Sequence, residues 1–477
     1  QMRCITSCMG IGSSLFCSRP CSRHYKPSAA MCAGSDAPSS AGTVQDGERA
    51  PKARRWDGLP QPAPRFVEGL PFSFKVCREW PEDWSPLELL LGAEGGSSEA
   101  PAARFLHPAL GLERRPGRGR CLVVTATDAS AVAAAADVDA TAAAAPPPQP
   151  PVGLRAGELL VVDVPLAVAP TQSALVDHIH AQAAVDAVFR RDVLSLCGGS
   201  SGGASMAGDL AENVARVVRF NHHEADGVPV DGCLSGLGLC GLWPLGSLVN
   251  HSLHPNVTRS FVGEVACYRL LRDLAPGDEL LDNYLDVLLP HSQRSLLLTH
   301  VHGFADEGPD GFDAPDALVA RLDFRRAQAE QALAEGHTQE ALDAFKDISA
   351  CCLGSGHRDP TFAPHFLSLA GVALSAGELG LQREAFSSAL WLASAREPFS
   401  VLTCALSSAC LGILLRAGTA AAGGDGGDDD AEAARVEDVA RFEAEAREHV
   451  RRVFGPGEGL FEAMNPALVA QLALAHG

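Results

Sequence analysis

A chain of 477 residues is too long for one hydrophobic core and calls for two or three domains. Hydrophobic residues make up 46 %, so most of it can fold, while only 6 % aromatics points to some low-complexity padding. The formal charge of −20 argues against a nucleic-acid-binding face, which needs clustered Lys and Arg, and is compatible with a basic protein partner.

Residues 1–65 are rich in Ser, Ala, Pro and Arg, and their first acidic residue is Asp36. This composition fits a plastid or mitochondrial transit segment, and equally a disordered leader. Cys4/Cys8 and Cys17/Cys21 have C-x3-C spacing, not the C-x2-C usual for zinc, so they are read as part of that leader. Fifteen cysteines scattered over so long a chain do not form a disulfide framework and suit a reducing, intracellular compartment, cytoplasm or nucleus. No apolar run reaches the roughly 18–20 residues of a membrane span.

A linker over 66–104 leads into a β-rich region, 105–304. An Ala/Pro tract at 129–151 separates two β-branched runs, Cys121–Thr125 and Glu158–Val164, which become neighbouring strands once the tract is set aside. A Gly/Ser patch fills 198–208. Residues 210–224 carry a helical face of Leu210, Val214, Val217 and Val218. Within that helix His222, His223 and Glu224 point in different directions and are expected to be solvated. Phe261–Tyr268 reads as a hairpin around Gly263-Glu264, and Pro276–Glu279 as a turn before a short strand.

From 305 to 477 the texture is Ala/Leu-rich helix with Gly breaks and a Gly/Asp/Ala loop at 417–433. Ala329, Leu333 and Gly336 recur as Ala370, Leu374 and Gly377 at the same spacing; Glu340-Ala341 and Phe345 are echoed more loosely by Glu384-Ala385 and Phe386. Tetratricopeptide-like hairpins need small residues at helix crossings and a turn glycine; a non-repetitive bundle is the other reading.

The chemistry concentrates in Asn250-His251-Ser252 followed by Pro255-Asn256, then the hairpin, Arg272-Asp273-Leu274, Pro276–Leu280 and Tyr284. This ordered set resembles the SET methyltransferase family, most closely its SET–MYND branch and the plant proteins that join a split SET domain to tetratricopeptide repeats. Upstream, Gly117-Arg118-Gly119 before Leu122–Asp128 is similar to the opening Gly-x-Gly and first strand of that family. Phe220-Asn221 is similar to the end of its inserted helical segment. The resemblance implies an α+β protein: a β-rich SET core split by a helical insert, followed by an all-α tetratricopeptide-like domain. It implies an S-adenosylmethionine-dependent protein-lysine N-methyltransferase. Gly117, Arg118, Gly119, Asn221, Asn250, His251 and Phe304 would hold the cofactor and Tyr284 would stand at the methyl-transfer centre. His302 occupies a substrate-channel position where relatives carry Tyr or Trp.

The residue types suit that chemistry. Methyl transfer from a sulfonium is an in-line displacement that needs positioning, and the target Lys must lose its proton first. Tyr284 is one of only three tyrosines, with Tyr25 and Tyr268. Two features depart from the family. The MYND module is missing, and the post-SET zinc cysteines are replaced, with Leu253 in the first position and no Cys between Gly303-Phe304 and Cys351, so no metal is expected. The rival reading is a catalytically silent scaffold whose helical repeats bind a partner peptide.

Overall fold

The computed structural model describes residues 70–74, 76–78, 104–125, 153–196, 209–225, 239–262, 264–304, 308–309, 311–421, 429–455 and 459–476. The leader, the Ala/Pro tract and the Gly/Ser patch lie outside them. The architecture is α+β, with mixed sheets in the first part and, among the described residues, helices alone after residue 315.

The central sheet has five strands in the order β1 (Val76–Cys77), β2 (Arg104–Leu106), β5 (Leu159–Asp163), β11 (Val265–Leu270), β10 (Val257–Val262). Its last two strands form the expected hairpin, with Val262 opposite Val265; Gly263 of the turn is outside the described residues. Strand β11 is buried at every position because both faces are covered. Tyr268 and Ala266 face the core of the β domain. Val262 of β10 packs instead with Val453 and Phe454 of a C-terminal helix.

Strand β4 (Gly119–Val124) pairs with β3 (Leu110–Arg115), not with β5. The two β-branched runs flanking the Ala/Pro tract are therefore not neighbours, because a local hairpin partner upstream of β4 takes its hydrogen bonds. Gly117 (φ 75°) and Gly119 (φ 77°) make that hairpin's turn. Both are left-handed, and a Cβ at either would meet no protein atom within 4 Å, so backbone handedness is what calls for glycine there.

Among the described residues the insert holds three helices: α1 (Gln172–Val185), α2 (Ala187–Leu194) and α3 (Leu210–Asn221), each started by a side-chain cap from Thr171, Asp186 or Asp209. Leu175, Ile179, Val193, Val214, Val217 and Val218 form its core. Helix α3 stops at Asn221, three residues short of the expected end, and His222–Ala225 is strand β7. It pairs with β8 (Leu239–Leu242), which also pairs with β6 (Ala167–Ala169). Sheet pairing with a strand distant in sequence overrides the local helical pattern.

Beyond the core, α4 (His291–Leu297) runs into a π-turn, Leu298–His302, closed by Gly303 in the left-handed conformation. Two consecutive helical hairpins follow: α5 (Asp316–Ala334) with α6 (Thr338–Gly354), and α7 (Ala363–Ala376) with α8 (Leu379–Ala393). Gly336 and Gly377 turn them, with φ of 89° and 78°. The recurring Ala329 and Ala370, and Phe345 and Phe386, are all buried in one core. Four more helices, α9 (Val401–Ala421), α10 (Asp429–Phe454), α11 (Leu460–Met464) and α12 (Pro466–His476), complete the array. Helix occupies both ends of the stretch read as a loop at 417–433, since Ala and acidic residues there are adequate helix formers.

Candidate active site

The site forms where two short segments meet as parallel strands, β9 (Asn250–His251) and β12 (Leu281–Asp282). Asn256 fastens them: its side chain accepts from Leu281 N–H at 2.8 Å and donates to the Glu279 carbonyl at 2.7 Å. The turn at Gly277 hydrogen-bonds to β4, and Val123 bridges Glu279, so the Gly117–Gly119 hairpin is drawn to the same place. Asn250 closes the junction, donating to the Arg118 carbonyl at 3.3 Å and to Glu279 Oε1 at 2.7 Å.

Tyr284 leaves β12 beside His251. Its N–H donates to His251 Nδ1 at 3.1 Å, and its hydroxyl donates to the Val249 carbonyl at 2.5 Å. Because Nδ1 accepts, the neutral His251 ring carries its proton on Nε2, which is buried and finds no partner. The rings of His251 and His302 lie 5.3 and 5.2 Å from that of Tyr284, and Phe304 lies 5.8 Å from His251. Phe304 is 39 % exposed, leaving a ring face open to a ligand. The structure thus brings together Tyr284, His251, His302 and Phe304, and ties Asn250 to the Gly117–Gly119 turn. Asn221 is buried at the end of α3, where its amide donates back to the Val217 carbonyl at 2.7 Å.

Two contributors are invisible in the motif. His223 is not solvated: on strand β7 it turns inward, 6.2 Å from the Tyr284 ring and 6.3 Å from Trp243. Its Nδ1 accepts from Arg259 at 3.0 Å, which leaves an unpartnered N–H at Nε2. The signal for it lies in strand alternation, where neighbours His222 and Glu224 point the other way. Glu279, read only as part of a turn, is buried and faces Arg115 at 3.5 Å and Arg118 at 3.9 Å while holding Asn250. Behind both, Arg259 and Asp282 form an ion pair at 2.6 Å.

The imidazoles around Tyr284 are neutral at physiological pH. Burial pushes His251 down to about 4, helped by His302, Arg118 and Arg294. Burial, with His222 and Arg219, pushes His302 to about 4 as well, and His223 lies well below its ordinary value for the same reason, with Arg259 adding to it. Each ring therefore binds its proton more readily in the unfolded chain, whose histidines titrate at about 6.5. The stability they contribute is complete above pH 6.5 and is lost as pH falls towards 4, with a slope of at most ~1.4 kcal/mol per pH unit per ring. Urea midpoints should be level from pH 7.5 to about 6.5 and fall from there to pH 4.5, and His302→Phe should flatten the decline; equal slopes in both proteins would contradict this assignment.

Among the described residues no group of three or more His, Cys, Asp or Glu is placed to hold a metal ion, and no helix is long and apolar enough to cross a membrane.

No family model matches the chain. It is 34 % identical over 98 residues to N-lysine methyltransferase SMYD2-B of Danio rerio, covering 20 % of this chain and 22 % of that protein. It is 35 % identical over 88 residues to N-lysine methyltransferase SMYD2 of Gallus gallus (18 % and 20 %), and 33 % identical over 97 residues to that of Homo sapiens (20 % and 22 %). The chain spans about a fifth of the length of these curated relatives. Over that fifth, this α+β chain is similar to N-lysine methyltransferases.

Proposed function

We propose that the chain transfers a methyl group from S-adenosylmethionine to a protein lysine. The observation that carries the reading is the junction of β9 and β12, which sets Tyr284 against the Val249 carbonyl and His251. The similarity to N-lysine methyltransferases supports it independently.

The residues present fit the cofactor. The unpartnered His251 N–H is a donor awaiting an acceptor, the half-exposed Phe304 ring offers a stacking face, and Asn250 keeps its side-chain oxygen for a donor. Asn250, His251 and Phe304, with the Gly117–Gly119 turn, would hold S-adenosylmethionine, which supplies a methyl group on a positively charged sulfur. Asn221, buried at the end of α3 with its amide turned to the Val217 carbonyl, would belong to the same set.

The chain's own groups then prepare the acceptor. A lysine side chain reaching Tyr284 passes His223 and His302, both uncharged. The same burial that keeps these rings neutral disfavours the ammonium and favours the free amine, which alone can attack. The Tyr284 hydroxyl gives its proton to the Val249 carbonyl, so its oxygen lone pairs are aimed away from that bond and can orient amine N–H groups. His302 and His251, pushed down to about 4, and His223, held well below its ordinary value by burial, are too weak to retain the amine's proton, which passes to solvent.

The test is incubation of the purified chain with radiolabelled S-adenosylmethionine and Lys-rich proteins, followed by acid hydrolysis. Label recovered as methyl-lysine is the expected result. A folded protein that binds cofactor yet labels nothing would favour the scaffold reading.

A further inference from the structure

The zinc that relatives use behind the core does not fit the residues here. Leu253, in the first ligand position, is 2 % exposed and apolar. Its neighbour His254 instead meets the Phe312 ring at 6.2 Å, and no Cys occurs between Cys267 and Cys351. Yet the Leu298–Phe304 segment, which carries His302 and Phe304, must be held against Tyr284 and His251 for the site to exist.

We infer that the C-terminal end of α3, through Arg219 and Phe220, is a metal-free clamp that holds the Leu298–Phe304 segment in place. Two contacts carry this, between stretches about eighty residues apart in sequence. Arg219 donates a hydrogen bond to the His300 carbonyl at the π-turn. The Phe220 ring edge covers Gly303 so closely that a Cβ there would stand 3.2 Å from Phe220 Cε1. The Arg219 guanidinium also lies 5.4 Å from the Phe220 ring, so the two side chains brace each other. Gly303 is in the left-handed region at φ 77°, so it is needed both to close the turn and to admit Phe220. The strand that follows α3 delivers His223 to Tyr284, so one short stretch of the insert supplies a wall of the site and secures the opposite wall.

Arg219 and Phe220 are positioning residues on this account. Their role in cofactor binding rests on the proposed function, but their hold on the segment does not. The test is hydrogen–deuterium exchange on the full-length chain, read at peptides covering 298–304. Phe220→Ala should speed exchange there by about tenfold, Phe220→Leu should restore most of the protection, and Arg219→Met should give a smaller increase. The melting temperatures should stay close to wild type, because Phe220 is only half buried and Arg219 is exposed. EDTA treatment of the wild type should leave exchange at 298–304 unchanged. In parallel, S-adenosylmethionine should bind Phe220→Ala about tenfold more weakly than wild type. Unchanged exchange in both Phe220→Ala and Arg219→Met, or opening of the segment by EDTA in the wild type, would overturn the clamp. Failure of the wild type to bind S-adenosylmethionine would instead overturn the proposed function, with the exchange result still deciding the clamp.

Discussion

Replacing Tyr284 by Phe is expected to lower turnover by about a hundredfold or more while S-adenosylmethionine affinity changes little. The substitution removes one oxygen and keeps the ring that packs against His251, His302 and His223. Its structural cost is the lost hydrogen bond to the buried Val249 carbonyl, ~1–2 kcal/mol, too little to unfold the protein. A purely structural Tyr gives the opposite pattern, with turnover per folded molecule intact and a lower melting temperature. Tyr268 serves as an internal contrast: it is fully buried in the β core, so its loss should act through stability alone.

The largest effect on stability is expected at Asp313. Its Oδ1 accepts from both Arg294 and Arg396 at 2.7 Å, and both guanidinium groups are entirely buried. Arg294 lies on α4, just before the Leu298–Phe304 segment, whereas Arg396 follows α8, so one carboxylate joins the β domain to the helical array. Asp313→Ala removes the negative charge between two buried cations, a change that costs ~3–5 kcal/mol and is a large part of a typical domain's stability. Denaturant unfolding should show a sharply lower midpoint or loss of a single transition. A shift below ~1 kcal/mol would mean that the pair of arginines is adequately compensated by other groups.

The sequence made the site's ordered motif legible because chain-local chemistry marks it. Asn250-His251, the Pro276–Glu279 turn and Tyr284 follow one another in a fixed order within thirty-five residues and meet in space, and the β10–β11 hairpin follows from its two-residue turn. The helical hairpins were legible from the spacing of Ala329, Leu333 and Gly336 and its repetition at Ala370, Leu374 and Gly377. His223 was not, because the apolar face of α3 runs on smoothly to Asn221 and nothing local announces a strand. That strand exists because β8 pairs with it, and such non-local pairing has no counterpart in a short sequence window. Glu279 was hidden for a related reason: its meaning comes from Asn250, Arg115 and Arg118, which the sheet edges bring together. The separation of β4 from β5 belongs to the same class, since two adjacent β-branched runs carry no label for which sheet each joins.

Cofactor binding at the β9–β12 junction is tested by calorimetric titration of S-adenosylmethionine into the purified, folded chain, wild type beside Asn250→Ala. Saturable one-to-one binding to the wild type is expected, with affinity at least about tenfold weaker in the variant, where the oxygen offered to the cofactor and the tie to Arg118 and Glu279 are both lost. Absence of binding to a wild-type sample that unfolds cooperatively, at ligand concentrations up to about a millimolar, would contradict it.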